Sequence, residues 1–286
     1  MTEGPLTIGE VLRRSTDHLE SRSGRRARLD AERLLAHGLG MERVDLYMHL
    51  DRPLSPKELA AAHALVARRA AGEPLQYVLG EWGFRRLALR VDPRALIPRP
   101  ETETVVERCL ALLDEDGAPR VLDVGTGTGA IALAIAAEHP GARVTAIDVS
   151  EDALALAGEN AERTGIEVEL RHHDLFAGLP GEGWDLVVSN PPYVDEAELA
   201  SLAPDVVEWE PHVALLDRGH ADALVRSAVA VLRPGGALVL EAHEHRATDV
   251  AELLDAQGFV DVCVTQDLAG RDRVVEGRRA REPGTT

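Results

Sequence analysis

Three glycines within five residues, Gly125-Thr126-Gly127-Thr128-Gly129, separate the apolar run Val121–Val124 from an apolar stretch that begins at Ala130. Such a segment turns tightly and lets backbone approach a neighbour that any Cβ would hold off. Placed between a strand and a helix, it calls for an α/β architecture. Further strand candidates follow at Val144–Ile147, Val168–Leu170, Leu186–Val188, Ala237–Glu241 and Val260–Val264, with helices at 129–138, 151–163 and 221–232 between most of them. That alternation predicts a mostly parallel, doubly wound sheet. Arg273-Val274-Val275-Glu276 reads as a last, edge strand, which completes a Rossmann-like, mixed sheet of seven strands.

The first third has a different texture. Thr7 followed by Glu10 has capping-box spacing, and Ile8, Val11, Leu12 and Leu19 recur at helical intervals. Leu29–Leu35 repeats the pattern and stops near Gly38 and Gly40, and Pro56 opens a third helix that ends before Gly72. Residues 1–73 are therefore expected to form a small helical domain. Residues 74–98 hold most of the aromatics of this part of the chain. With Leu75, Tyr77, Val78, Leu79, Trp82, Phe84, Leu87, Leu89 and Val91 and turns at Gly80 and Gly83, they predict a β-hairpin linker. The α/β domain then spans 99–277, and 278–286 is expected to be a disordered tail.

Composition narrows the function classes. The chain of 286 residues carries a net charge of −18, yet basic and acidic residues nearly balance over the first 75 positions. The excess acid therefore lies in the part that carries the glycine loop. Proteins that hold nucleic acid neutralise phosphates with clustered Lys and Arg, so free DNA or RNA is not the expected partner. Cys109 and Cys263 form neither a CxxC pair nor a disulfide framework. The sequence shows no signal-peptide pattern and no run of about 18 apolar residues, so a cytoplasmic protein without membrane contact is expected. It is read as a monomer.

The glycine loop fits a dinucleotide pattern as well as the G-x-G-x-G loop of methyltransferases. Asp123 precedes it, and Asp148 ends the next strand, where a carboxylate can accept hydrogen bonds from both hydroxyls of a ribose. Asp174 and Leu175 follow the third strand, where an adenine amino group would meet a carboxylate. Gly125, Thr126, Gly127, Thr128, Gly129, Asp148, Asp174 and Leu175, with Asp123, are thus candidates for holding a nucleoside-bearing cofactor.

Ser189-Asn190-Pro191-Pro192-Tyr193 distinguishes between the ligand classes. It follows the fourth strand, at the carboxyl end of the sheet. Two prolines fix φ and remove two N–H donors, which leaves the Pro191 carbonyl free to accept. Asn190, held extended before a proline, offers a side-chain oxygen beside it. Two acceptors facing one NH2 group make a receptor for an amide or an exocyclic amine, and Tyr193 can lie on its flat face. Pro192 completes the rigid turn. The amide lone pair is delocalised, so holding both N–H bonds orients it for methyl transfer without a strong base. His172-His173 and His243-Glu244-His245 lack further ligands at metal spacing, so no metal is expected. Glu101 and Glu103 are read as structural or cofactor-orienting.

With these residues in view, the chain resembles the HemK/PrmC family of release-factor glutamine-N5 methyltransferases over nearly its whole length. The resemblance rests on Glu73–Glu81, Leu96–Glu103, the glycine loop, Asp148, Asp174-Leu175-Phe176, Asn190–Tyr193, Glu210-Pro211 and Gly270–Val275. It implies a class I methyltransferase fold using S-adenosyl-L-methionine and releasing S-adenosyl-L-homocysteine. It also implies that Asn190, Pro191 and Tyr193 are catalytic, with Asn190 near the cofactor too. The implied substrate is the Gly-Gly-Gln loop of bacterial class I peptide chain release factors, with the helical domain recognising another part of the factor. Two places depart from the family pattern: Glu241-Ala242-His243 after the fifth strand, and Leu216–His220. The alternatives are methylation of a ribosomal-protein glutamine or of adenine N6 in DNA. A nicotinamide-dependent oxidoreductase and a cofactor-binding protein without turnover stand further off.

Overall fold

A computed structural model describes residues 5–23, 26–115 and 117–281. The chain divides into two compact units, residues 1–81 with 202–209, and residues 82–201 with 210–286.

The first unit is helical: α1 (Ile8–Ser23), α2 (Ala27–Leu39), α3 (Arg43–Met48), α4 (Pro56–Ala70) and α5 (Leu75–Leu79), joined by α9 (Pro204–Trp209) from later in the chain. The capping box at α1 forms as expected, with Thr7 N donating to Glu10 Oε2 at 2.9 Å and Glu10 N to Thr7 Oγ1 at 3.3 Å. Ser55 and Glu58 repeat it at α4, where Pro56 opens the helix, and these bonds hold the Glu58 carboxyl down at about 2. Ile8, Leu12, Leu19, Leu34, Leu35 and Leu46 are buried between the helices. A buried ion pair, Arg69 Nε to Asp30 Oδ2 at 3.0 Å, ties α4 to α2.

The strand expected at Leu75–Leu79 is a single helical turn. Arg68 on α4 donates to the carbonyls of Tyr77 at 3.2 Å and Val78 at 3.3 Å, satisfying groups that a strand would pair in a ladder. Gly80, at φ 74°, ends the turn.

The second unit opens with a hairpin, β1 (Glu81–Phe84) and β2 (Leu87–Arg90). Its turn falls at Arg85, φ 49°, and not at Gly83, which lies within β1. Arg85 is held there by a fork onto Glu138, at 2.5 and 2.8 Å. There follow α6 (Thr102–Leu112), β3 (Arg120–Val124), α7 (Ala130–Glu138), β4 (Arg143–Asp148), α8 (Glu151–Thr164), β5 (Glu169–His172) and β6 (Trp184–Ser189). Beyond α9 come α10 (His220–Val231), β7 (Leu232–Glu241), α11 (Ala247–Ala256), β8 (Phe259–Gln266) and β9 (Asp272–Arg279).

The seven strands lie in the order β5-β4-β3-β6-β7-β9-β8. All neighbours from β5 to β7 are parallel, whereas β9 is antiparallel to both β7 and β8. The mixed seven-stranded sheet is as expected; the position of its last strand is not. β9 is interior and β8 forms the edge, because Val274 and Val275 are both fully buried and need a layer on each face. Gly277 sits where a Cβ would come within 2.9 Å of Leu254, so α11 packs directly on the strand. β9 runs to Arg279, two residues into the expected tail; positions 282–286 of that tail lie outside the described residues.

Alternate residues of β3 feed two cores. Val121 joins Val105, Cys109, Leu133 and Ile135 of α6 and α7 on one face. Leu122 and Val124 join Leu224, Val225 and Leu254 of α10 and α11 on the other. No described helix is long and apolar enough to cross a membrane.

Candidate active site

Strand order reverses at β3: the chain moves from it to β4 and β5 on one side, and to β6 and β7 on the other. Open α/β sheets bind ligands beyond the carboxyl ends of their strands at such a switch point. A cleft of about 310 Å3 lies there, walled by the glycine loop, Asp148, Asp174–Phe176 and Ser189–Pro192.

Gly125, Gly127 and Gly129 all have left-handed φ, 71°, 55° and 82°. Their surroundings differ. A Cβ on Gly125 would meet nothing within 4 Å, while one on Gly129 would press on Leu133 at 3.2 Å and Ala157 at 3.3 Å. Gly129 is therefore required by packing and does not line the cleft. Gly125, Thr126, Gly127 and Thr128 do line it. Asp123 lies beneath the loop, fully buried. Thr126 Oγ1 donates to its Oδ2 at 2.6 Å, and burial raises its carboxyl to about 7.

Asp148 accepts from Gly127 N and from Ser150 N, each at 2.9 Å, one on each carboxylate oxygen. Burial raises its pKa, and these backbone donors oppose the rise. Each oxygen keeps a further lone pair for a ligand hydroxyl. Asp174 caps the 3-10 turn Leu175–Ala177 by accepting from Phe176 N at 2.9 Å, which places the Leu175 backbone at the cleft wall. Phe176 is half-exposed beside the ring of His220.

Asn190 and Pro191 line the same cleft. Asn190 Nδ2 donates to Thr102 Oγ1 at 3.2 Å, and among the described residues none donates to Asn190 Oδ1 or to the carbonyl of Pro191, a buried residue. Tyr193 stands outside the cleft wall, tilted against the ring of His243 at 5.8 Å. Its burial, with Glu241 nearby, pushes its hydroxyl up to about 12, so it stays protonated. Glu101 pairs with Arg271 at 3.0 Å, and Glu103 accepts from Arg85 N at 2.9 Å. His172 and His173 are engaged by the carbonyls of Val149 and Gly178.

Three residues of the site carried no role in the sequence reading. Asn160, fully buried on α8, bonds Arg90 N and O and also the Thr128 carbonyl, so it ties the hairpin to the glycine loop. Its signal was a polar residue in register with the apolar stripe Ala153, Leu156, Ala157. Glu210 accepts from Ile97 N at 3.1 Å and from Arg99 Nη2 at 2.5 Å. Thr102, inside the segment Leu96–Glu103, joins Asn190 to Glu241.

Family models match twice: the PrmC N-terminal domain over residues 10–80 and the methyltransferase small domain over residues 107–209. A protein of Geobacter sulfurreducens named release factor glutamine methyltransferase is 45% identical, over 97% of this chain and 99% of its own length. One of the same name from Cereibacter sphaeroides is 44% identical, over 96% and 99%. A crystal structure of a methyltransferase from Pyrococcus furiosus, 19% identical, aligns over 68% of this chain and 89% of its own with a TM-score of 0.50, a likeness of fold alone. Identity of this level over nearly the full length, with the loop, the acid and Asn190-Pro191-Pro192 gathered at one cleft, shows that the chain belongs to the release factor glutamine methyltransferase family.

Proposed function

We propose that this protein methylates the side-chain nitrogen, N5, of the glutamine in the Gly-Gly-Gln loop of bacterial class I release factors, in the cytoplasm, with S-adenosyl-L-methionine as methyl donor. The observation that carries this reading is the pair of uncommitted acceptors, Asn190 Oδ1 and the Pro191 carbonyl, on the wall of the cleft that holds the glycine loop and Asp148. The cleft residues fit the donor. Asp148 has a lone pair free on each oxygen for the ribose hydroxyls, and Asp174 with the Leu175 backbone suits the adenine edge. The open space over Gly125 admits a chain against the backbone. When bound, S-adenosylmethionine supplies an electrophilic methyl group on a sulfonium.

The chain's own work is positioning and electrostatics. Asn190 Oδ1 and the Pro191 carbonyl accept the two N–H bonds of the substrate amide and turn its lone pair towards the methyl. As nitrogen gains positive charge its N–H bonds become stronger donors, so the same two acceptors bind the transition state more tightly than the ground state. The methylated nitrogen then loses a proton to water and regains amide resonance. Tyr193, protonated, packs against His243 outside the cleft wall and takes no part in the step.

The test is the intact mass of a purified release factor after incubation with the protein and S-adenosylmethionine, with peptide mapping. One added methyl on the glutamine of the Gly-Gly-Gln loop, absent with Asn190→Ala, supports substrate and site together. No gain while the cofactor still binds overturns the release factor as substrate and redirects the assay to ribosomal-protein glutamine, then to adenine in DNA.

A further inference from the structure

The acceptor role of Asn190 requires that its oxygen, and not its nitrogen, face the cleft. The two ends of a carboxamide have nearly the same shape, so packing alone does not choose between them. The choice is made behind the site. Glu241 ends β7 and is 2% exposed, and Thr102 opens α6 at 4% exposed. Thr102 Oγ1 donates to Glu241 Oε2 at 2.6 Å and accepts from Asn190 Nδ2 at 3.2 Å.

A hydroxyl has one proton to give. With that proton spent on the buried carboxylate, Thr102 Oγ1 has only lone pairs to offer Asn190. The amide must present its NH2 group to Thr102, which leaves Oδ1 to the cleft. The opposite rotamer would set oxygen against oxygen behind the site and NH2 against the substrate's NH2 in front. We propose that Thr102 is a positioning residue, and that the relay Glu241–Thr102–Asn190 decides which end of the Asn190 amide meets the substrate. This rests on the reading that Asn190 accepts from the substrate amide.

The relay has a direction that depends on charge. Protonated Glu241 becomes a donor to Thr102 Oγ1, the threonine proton is freed towards Asn190, and the preferred rotamer reverses. Burial pushes Glu241 up to about 7; Thr102, Arg273 and Arg99 oppose this, and Glu101 adds to it. Tyr193, on the loop packed beside it, stays protonated throughout.

Asn160 and Asn190 are the chain's only asparagines, so labelling with 15N-asparagine leaves two side-chain NH2 groups to observe, Asn160 serving as reference. In the full-length protein without substrate, the Asn190 NH2 protons should exchange slowly with water. They should exchange at least about 10-fold faster in Thr102→Val and be restored in Thr102→Ser, with Asn160 unmoved. Their shifts should titrate with Glu241 in the parent and not in Glu241→Gln. In turnover, Thr102→Val should lose about 10- to 100-fold in kcat, the scale of a misplaced contact, with the Kd for S-adenosylmethionine within about threefold of the parent. Thr102→Ser should recover most of it. Thr102→Val should cost nothing further in an Asn190→Ala background. Unchanged Asn190 exchange in Thr102→Val, or losses that simply add to those of Asn190→Ala, would overturn the relay. A parent that orders Asn190 as described yet leaves the release factor unmethylated would instead count against the substrate.

Discussion

Glu210 offers the sharpest test of how the cleft is held. Its carboxylate is buried and serves two groups of one wall: the backbone N–H of Ile97, at 3.1 Å, and the Arg99 guanidinium, at 2.5 Å. Glu210→Ala leaves the Ile97 N–H buried with no acceptor, at about 1–3 kcal/mol. It also removes the partner of Arg99. A fully buried pair broken in this way loses about 3–5 kcal/mol, but the Arg99 side chain is 29% exposed and water takes up part of the loss. The sum is about 3 kcal/mol, or roughly 10 °C in Tm for a domain of this size. Glu210→Gln keeps an oxygen for Ile97 and loses only the charge, so about 1 kcal/mol is expected. Urea denaturation followed by circular dichroism gives both values, and calorimetry should show weaker S-adenosylmethionine binding by the Ala variant. The reasoning fails if Glu210→Ala falls within about 0.5 kcal/mol of the parent, or if Gln destabilises as much as Ala, since the Ile97 bond would then carry nothing.

Asn190→Ala should lower kcat by about 10²–10³, the scale of losing one preorganised charge-stabilising contact, with cofactor affinity unchanged by calorimetry; a tenfold weaker Kd would mean that Asn190 serves the cofactor instead. Gly129→Ala combines φ 82° with contacts at 3.2 and 3.3 Å and should cost about 2–3 kcal/mol, whereas Gly165→Ala, at φ 69° in open space, should cost about 1 kcal/mol. Equal losses by thermal melting would show that crowding at Gly129 is relieved. Asp123 has a folded pKa of about 7, above its ordinary 3.8, so the native state binds its proton more tightly. Its contribution to stability is greatest below pH 4 and declines by about 1.4 kcal/mol per unit as pH rises towards 7. Asp123→Asn removes that slope, so the stability of the parent relative to the variant should fall between pH 4 and 7 and level off above; a flat difference from pH 4 to 8 would rule out a buried, proton-binding Asp123.

Much of this was legible in the chain because it is written in local patterns. The glycine loop, the cap at Thr7, the helix start at Pro56 and the Asn190–Tyr193 turn each depend on neighbours a few residues away. What escaped depends on partners far along the chain. Leu75–Leu79 has the composition of a strand, and its helical turn is completed by the distant Arg68 guanidinium on the carbonyls of Tyr77 and Val78. Arg273–Glu276 reads equally well as an edge or an interior strand until Leu254, Phe259 and Val262 are seen to close over Gly277. Thr102, Asn190 and Glu241 are separated by 88 and 139 positions, and nothing short of the folded sheet brings the three side chains into line.

The place of β9 bears on how the domain is made. Chains emerge from the ribosome N-terminal end first, so β7 and β8 are synthesised before the strand that separates them. Until Asp272–Arg279 arrives, β7 presents an open ladder of N–H and C=O groups, from Ala237 to Glu241, to whatever strand is near. β8 pairs only with β9, and the turn 267–271 joins the two, so they can close as a hairpin that adds to the rim of β7 through β9. The sheet is therefore complete only once β9 has been made, and until then the β7 edge is open to pairing with another nascent chain.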